Sequence, residues 1–321
     1  EKKYTFTLHK SFWSDGEPLT AYDFDYAWKT SLEPNFPAQN VYMLYGIKNA
    51  KKAKEGKCRV EDVGIHVIDA LTLEVELDNP LPYFLQLLSV PAFYPVPKHI
   101  VESDETWGTQ ENFVSNGPFT LKKWKHDSHI IARKNKFNFD HENIDLEGIH
   151  IAMVSDNTGM SMFESGELDW VGSPISTIPV DALSTLKRNN AVHILPALGT
   201  HFFRFNTEKF PFNNKKMRKA FSYALDRQKI VEFILQGGQE PAMGLLPPSI
   251  RLQKPPFFQD NIKKTAQTYF KHALEEMQIK EEDFPAISFT YNADDNRNHK
   301  IAQFVQQEWI KTFGIQVNLD Q

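Results

Sequence analysis

Between Trp13 and Pro34 the chain reads "WSDGEPLTAYDFDYAWKTSLEP", a stretch with little freedom in how it folds. Ser14, Asp15 and Gly16 spell a turn, and Pro18 leads to Thr20, a good helix N-cap. Asp23 follows three residues later, where a helix start favours negative charge. Phe24, Ala27, Trp28, Ser31 and Leu32 then recur at i, i+3, i+4, i+7 and i+8, the stripe of a helix with one buried face, and Pro34 stops it. An alternating strand, "YTFTL" (4–8), comes before it.

A chain of 321 residues has room for two or three domains. Its net charge of −5 argues against a nucleic-acid partner, which shows as a basic excess. The longest apolar candidate, "YFLQLLSVPAFYPVP" (83–97), is broken by three prolines and falls short of the ~18 residues that span a bilayer. The single cysteine, Cys58, is neutral on compartment, because a core of this size needs no disulfides. No signal peptide or lipidation cysteine opens the chain, and a targeting segment is expected to have been removed together with more of the mature protein. The 25 phenylalanines point first to large cores and second to a stacking cleft.

Further along, "VGIHVIDA" and "LTLEVEL" read as a hairpin over 63–77, and the proline-rich 90–100 as a crossing between domains. "NGPFTLKKWKHDSHIIARKNKF" (116–137) predicts two antiparallel strands, and "EGIHIAMV" a third. "NTGMSMFESGELDWV" predicts a helix ending at Gly166 and then a strand. "NNKKMRKAFSYALDRQKIVEFILQGG" (213–238) carries one apolar stripe from Met217 to Leu235, capped by Asn213 or Asn214 and ended by Gly237 and Gly238. "PAMGLLPPSI" (241–250) is a proline-stiffened loop. A helix over about 263–277, the strand "ISFTY", a helix "HKIAQFVQQEWIKTFG" and the strand "IQVNL" predict a parallel or mixed α/β lobe.

Motifs for chemistry are weak. Ser184 and Lys187 match Ser-x-x-Lys, and 155–157 match Ser-Asp-Asn, but the order is reversed relative to the serine acyl-enzymes and Lys-Thr-Gly is missing. His126 and His129 lie in a hairpin turn with no cysteine or third histidine nearby in sequence, so no metal site is read there. Glu164, Glu167 and Asp169 surround a glycine that ends a helix, where acidic residues are routine. No glycine loop precedes a helix to cradle phosphate.

An ordered series of structural words remains. "YTFTLHKSFWSDGEPLTAYDFDYAWKTSLEP", "YMLYGIKNA", "PLPYFLQLL", "PVPKHIV", "SNGPFTLKKWKHDSHIIARKNKF", "SGELDW", "RFNTEKFPFNNKKMRKAFSYALDRQKIV" and "GGQEPAMGLLPPSI" together resemble the oligopeptide-binding proteins of bacterial ABC importers. These are extracytoplasmic solute receptors that also include dipeptide, nickel and haem-peptide binders. The resemblance covers essentially all 321 residues in family order and is nearest the oligopeptide branch.

It implies an α/β, type II periplasmic-binding-protein-like fold with two lobes plus an extra α/β domain. Residues 1–97 correspond to the extra domain, 98–197 to part of lobe I and 198–321 to an incomplete part of lobe II. The chain then looks like a central fragment of a receptor without catalytic activity. Its partners would be an oligopeptide and a membrane ABC permease, with no cofactor or metal, in a monomer located in the periplasm or anchored at the cell surface. The helix behind Trp13 becomes scaffold, with Trp13 buried against it. Arg218, Asp226 and Arg227 fix helix and loop positions through hydrogen bonds.

Ligand contacts carried over by position fall in three places. Tyr42 and Tyr45 match Y-x-x-Y-G, but the preceding segment is one residue shorter, so Gln39 or Asn40 stands where the branch has a contacting tyrosine. Gly172, Ser173 and Pro174 match a lobe edge that faces peptide, and Thr200, His201 and Phe202 the inter-lobe crossing, Phe202 foremost. Each has an alternative as a core or turn residue. Rival readings are a nickel-chelate, haem or signalling-peptide receptor, a hydrolase using Ser184 or Glu167, and a chaperone-like interaction protein.

Overall fold

The computed structural model describes residues 1–104, 106–109, 113–247, 250, 260–292 and 296–321. These form two units, Glu1–Ser155 and Asp156–Gln321.

In the first unit the alternation around Tyr4 and Phe6 gives β1 (Lys3–Thr7). A two-stranded hairpin, β2 (Ser11–Phe12) and β3 (Pro18–Leu19), carries the WSDG turn. Helix α1 (Ala21–Leu32) starts at Thr20, as the spacing predicts. The Asp23 carboxylate accepts the Thr20 backbone N–H at 2.8 Å and its hydroxyl at 3.1 Å. At the other end the Lys54 ammonium, from α2 (Ala50–Lys54), donates to the carbonyls of Ser31, Glu33 and Phe36, a cation where the helix dipole is negative.

Strands β4 (Ile65–Asp69) and β5 (Thr72–Glu76) form the expected hairpin. β1 joins the free edge of β5, with Tyr4 opposite Val75 and Phe6 opposite Leu73. The sheet, α1 and a short helix, α3 (Phe84–Leu87), enclose a core that includes Trp28, Leu32, Ile47, Val75, Phe84 and Phe93, and a further short helix, α4 (Lys98–Val101), follows. The proline-rich stretch is therefore more than a bare linker. Phe93 stacks edge-on to Trp28 at 5.4 Å, and its carbonyl accepts the Trp28 indole N–H at 2.9 Å. A second sheet follows, β6 (Phe119–Lys125), β7 (His129–Lys134) and β8 (Gly148–Ala152), all antiparallel, with Ile130 opposite Trp124 and Ile151.

The WSDG turn now has a task. Trp13 is 2% exposed, so it is buried as expected. Gly16 has φ +99°, and a Cβ there would lie 3.4 Å from the Phe137 ring. The Ser14 N–H donates to the Ser115 carbonyl at 2.8 Å, and the Ser14 hydroxyl oxygen accepts the Ser115 N–H at 3.1 Å. Asp15 meets His99 at 2.7 Å. The Lys98 N–H donates to Asp23 at 3.3 Å. One turn thus ties the α1 module to the segments that carry α4 and the β6–β8 sheet.

Burial raises the Asp15 carboxyl pKa, but the His99 hydrogen bond, the Glu17 amide and the His99 charge outweigh it and hold the group below its ordinary value. Its contribution is present above the unfolded-state pKa of about 3.9 and is lost as pH falls through the lower folded value. Asp15→Asn should cost on the order of 0.5–1 kcal/mol at pH 7. Thermal unfolding at pH 7 and at lower pH checks this: the gap closes in acid, and a gap that widened there would contradict the assignment.

The second unit holds α5 (Asp156–Glu164), α6 (Val180–Arg188), α7 (Lys215–Tyr223), α8 (Arg227–Lys229), α9 (Lys263–Met277), β9 (Ile287–Thr290), α10 (Asn296–Phe313) and β10 (Val317–Asp320). β9 and β10 pair in parallel, Ile287 opposite Val317, with α10 as the crossover. Met217, Phe221, Phe270, Val305, Trp309 and Phe313 lie at the centre of its core.

Two expectations need correction. The stripe from Met217 to Leu235 is no single helix. α7 ends at Tyr223, and the chain restarts at α8 and runs into a π-helical segment, Ile230–Leu235. Asp226 is extended (φ −100°, ψ 90°), and its carboxylate caps the new start by accepting the Lys229 N–H. The strand expected after Gly166 is also missing among the described residues, where "LDWV" finds no strand to pair with. Of the 241–250 loop, residues 248 and 249 lie outside the described residues.

Candidate functional site

In the first unit Gln39 and Asn40 are exposed and lead into a 3-10 helix, Val41–Gly46. Asn40 has φ 58°, a left-handed conformation that asparagine tolerates, and its carbonyl accepts the Met43 N–H at 3.0 Å. Leu44 and Ile47 anchor the turn in the core, and Tyr45 packs partly against that core. Tyr42 is 60% exposed. Of the four candidates here, Tyr45 is tied to packing, while Tyr42, Gln39 and Asn40 offer polar groups to the surface.

In the second unit Gly172 has φ +113°, a conformation that L side chains rarely adopt. Its N–H donates to the Ser176 hydroxyl oxygen at 2.8 Å, and its carbonyl accepts the Ser176 N–H at 2.9 Å. This closed loop presents Ser173 and Pro174 to solvent, between Trp170, 64% exposed, and an exposed Ile175.

The 200–206 run alternates as an extended chain does: Phe203 and Phe205 turn into the core, while His201, Phe202 and Arg204 are exposed. Phe203 packs edge-on against Phe289 at 5.2 Å and His201 at 5.7 Å, and Phe205 lies 4.7 Å from Phe212. Phe202 is 55% exposed, and the Arg204 guanidinium carbon lies 5.7 Å from its ring centroid. Thr200 is half-buried. No hydrogen bond or ring contact joins the 172–174 loop to the 200–202 run among the described residues.

Geometry adds a cluster that sequence reasoning missed. Tyr291, just past β9, meets His299 Nδ1 with its hydroxyl at 2.5 Å, and Gln321, just past β10, donates to that hydroxyl at 2.7 Å. The carboxyl ends of parallel strands are where α/β folds place ligands. The signal was available in the parallel β9–α10–β10 pattern, but partners eight and 30 residues beyond Tyr291 do not announce their meeting.

Arg218 donates to the Phe212 carbonyl at 2.7 Å, and Arg227 to Asp260 at 2.7 Å and to the Ser222 carbonyl at 3.1 Å. Both hold loops in place, the role that the resemblance implies. Ser184 is exposed on α6, while the Lys187 ammonium donates to the Gln236 carbonyl at 2.5 Å, so the two do not form a nucleophile–base pair. Glu167 accepts the Ser165 hydroxyl at 2.9 Å in an exposed turn. His126 lies tilted against Trp124 at 4.5 Å, and His129 lies 5.4 Å from His150. Among the described residues no three His, Cys, Asp or Glu gather as a metal-holding group. No described helix is long and apolar enough to cross a membrane.

Solved structures define the class. Listeria monocytogenes OppA bound to peptide matches with a TM-score of 0.86 and 28% identity, over 100% of this chain and 65% of that one. OppA of Burkholderia pseudomallei matches with a TM-score of 0.88 and 27% identity, over 99% and 64%. The chain has the mixed α/β fold of the type II periplasmic binding proteins.

The model of the bacterial extracellular solute-binding proteins, family 5 Middle, matches residues 1–321, and the chain belongs to that family. The oligopeptide-binding protein OppA of Bacillus subtilis (strain 168) is 42% identical over 99% of this chain and 60% of its own length. The chain thus spans about 60% of that relative.

Proposed function

We propose that the whole protein is an extracytoplasmic receptor that captures oligopeptides and delivers them to a membrane ABC permease for import. The observation that carries this reading is the 42% identity to an oligopeptide-binding protein, sustained over 99% of the chain. Peptides of varied sequence share a backbone and two charged ends. A receptor for many of them satisfies backbone groups by strand-like pairing and leaves side chains in roomy, hydrated pockets. Binding then favours a closed arrangement of lobes that alone offers both sets of contacts.

In this reading residues 1–97 form the extra domain, 98–197 part of lobe I and 198–321 part of lobe II, in a monomer without cofactor or metal. Peptide is contacted by Gln39 or Asn40, Tyr42 and Tyr45, by Gly172, Ser173 and Pro174, and by Thr200, His201 and Phe202, with the Tyr291–His299 pair as a further polar contact. The peptide is released unchanged. The Lys187 ammonium is engaged by the Gln236 carbonyl while Ser184 is exposed, which supports a receptor over a serine hydrolase.

Isothermal titration of the full-length protein with a diverse library of short peptides tests this. Micromolar or tighter binding with a rise in melting temperature is expected. No heat and no stabilisation across the library would overturn it, and binding confined to dipeptides would move the protein to another branch.

A further inference from the structure

We propose that Arg204 makes this receptor prefer peptides that carry an acidic side chain; the inference rests on the peptide-capture reading above. The alternation at 202–205 sends Phe203 and Phe205 into the core and leaves Phe202 and Arg204 exposed together. The guanidinium rests over the Phe202 ring, with 5.7 Å from its central carbon to the ring centroid. A guanidinium held over a ring by cation–π attraction still has N–H groups to offer a carboxylate.

Arg59, Arg218 and Arg227 are committed. Arg59 pairs with Asp62, Arg218 holds two carbonyls, and Arg227 is locked on Asp260. Arg204 has no ion pair with a carboxylate among the described residues of its unit. The charged or titratable neighbours along the run are His201, Glu208 and Lys209, of which Glu208 uses its backbone N–H on Asn206 and makes no ion pair among the described residues. A guanidinium without a carboxylate partner among the described residues, held beside the foremost candidate contact, Phe202, suits the bidentate geometry of a Glu or Asp side chain. It also disfavours Lys at the same peptide position.

The test is titration of the full-length protein with alanine pentapeptides carrying one Glu, one Gln or one Lys at each position in turn. At one position the Glu peptide should bind about tenfold more tightly than its Gln counterpart, and the ratio should shrink as ionic strength rises. Arg204→Gln should bring that ratio close to one, and Arg204→Glu should turn the preference toward Lys. Equal binding of Glu and Gln peptides at every position, or a preference that survives Arg204→Gln, overturns the proposal while leaving peptide capture intact. Failure of all three peptide sets to bind overturns the capture reading and this inference with it.

Discussion

Trp309→Ala should destabilise the second unit by about 3–5 kcal/mol, the range for removing a large aromatic from a packed core. Trp309 sits on α10, almost fully buried, with its ring 5.0 Å from Phe221 and 5.6 Å from Phe289. It joins α7 to the β9 layer through side-chain packing. Its indole N–H also donates to the Phe221 carbonyl at 2.9 Å. That carbonyl belongs to the last turn of α7, where intrahelical partners run out. Truncation therefore leaves both a cavity and a buried acceptor without its donor. Trp309→Phe separates the two, keeping most of the apolar surface and losing the donor, at about 1–2 kcal/mol. Denaturant unfolding followed by circular dichroism measures both. An alanine variant within 1 kcal/mol of the parent would show that the packing is not as described.

The next largest effect is expected at Asp226. Its carboxylate is buried where the 213–238 stripe breaks, and it accepts the Lys229 N–H at 3.0 Å and the Asn261 side-chain amide at 2.9 Å. The Lys229 ammonium lies 3.1 Å away. Asp226→Ala should cost about 2–3 kcal/mol, a lost cap plus the lost charge-assisted hydrogen bond from the Asn261 amide. Asp226→Asn retains one acceptor oxygen and should cost about half as much. The hydrogen bond to Asp226 raises the Lys229 pKa. The pair's contribution is thus complete below the unfolded lysine value of about 10.4 and fades as pH climbs through the folded one. Hydrogen exchange across 223–236 would locate the loss. Exchange that changed uniformly over the unit instead would mean that Asp226 does not govern this junction.

The same residue explains what could be read in advance. In α1 every decisive group is local: Thr20 and Asp23 set the start, Phe24 to Leu32 the face and Pro34 the stop, so the helix was legible. At 224–226 the apolar spacing continues through Ala224 and Leu225, both buried. The break is decided by Asp226 turning its carboxylate to Lys229 and Asn261, the latter from beyond α8. Periodicity carries no record of such a partner. "LDWV" failed for a related reason, since a strand exists only with a neighbour. The candidate positions came in pieces by family order, and the structure shows a left-handed turn at Asn40, a positive-φ glycine at 172 and an exposed Phe202 there. The Tyr291–His299–Gln321 meeting depends on the parallel register of β9 and β10 and had no local signature.

The uneven burial of the tryptophans has an optical consequence. Trp13, Trp28 and Trp309 are shielded from water, so their emission reports the integrity of the two cores and stays blind to solutes. Trp170 stands in solvent two residues before Gly172. The protein therefore carries its own fluorophore beside the loop proposed to face the guest, and a shift in the red edge of its spectrum reads that loop without any label.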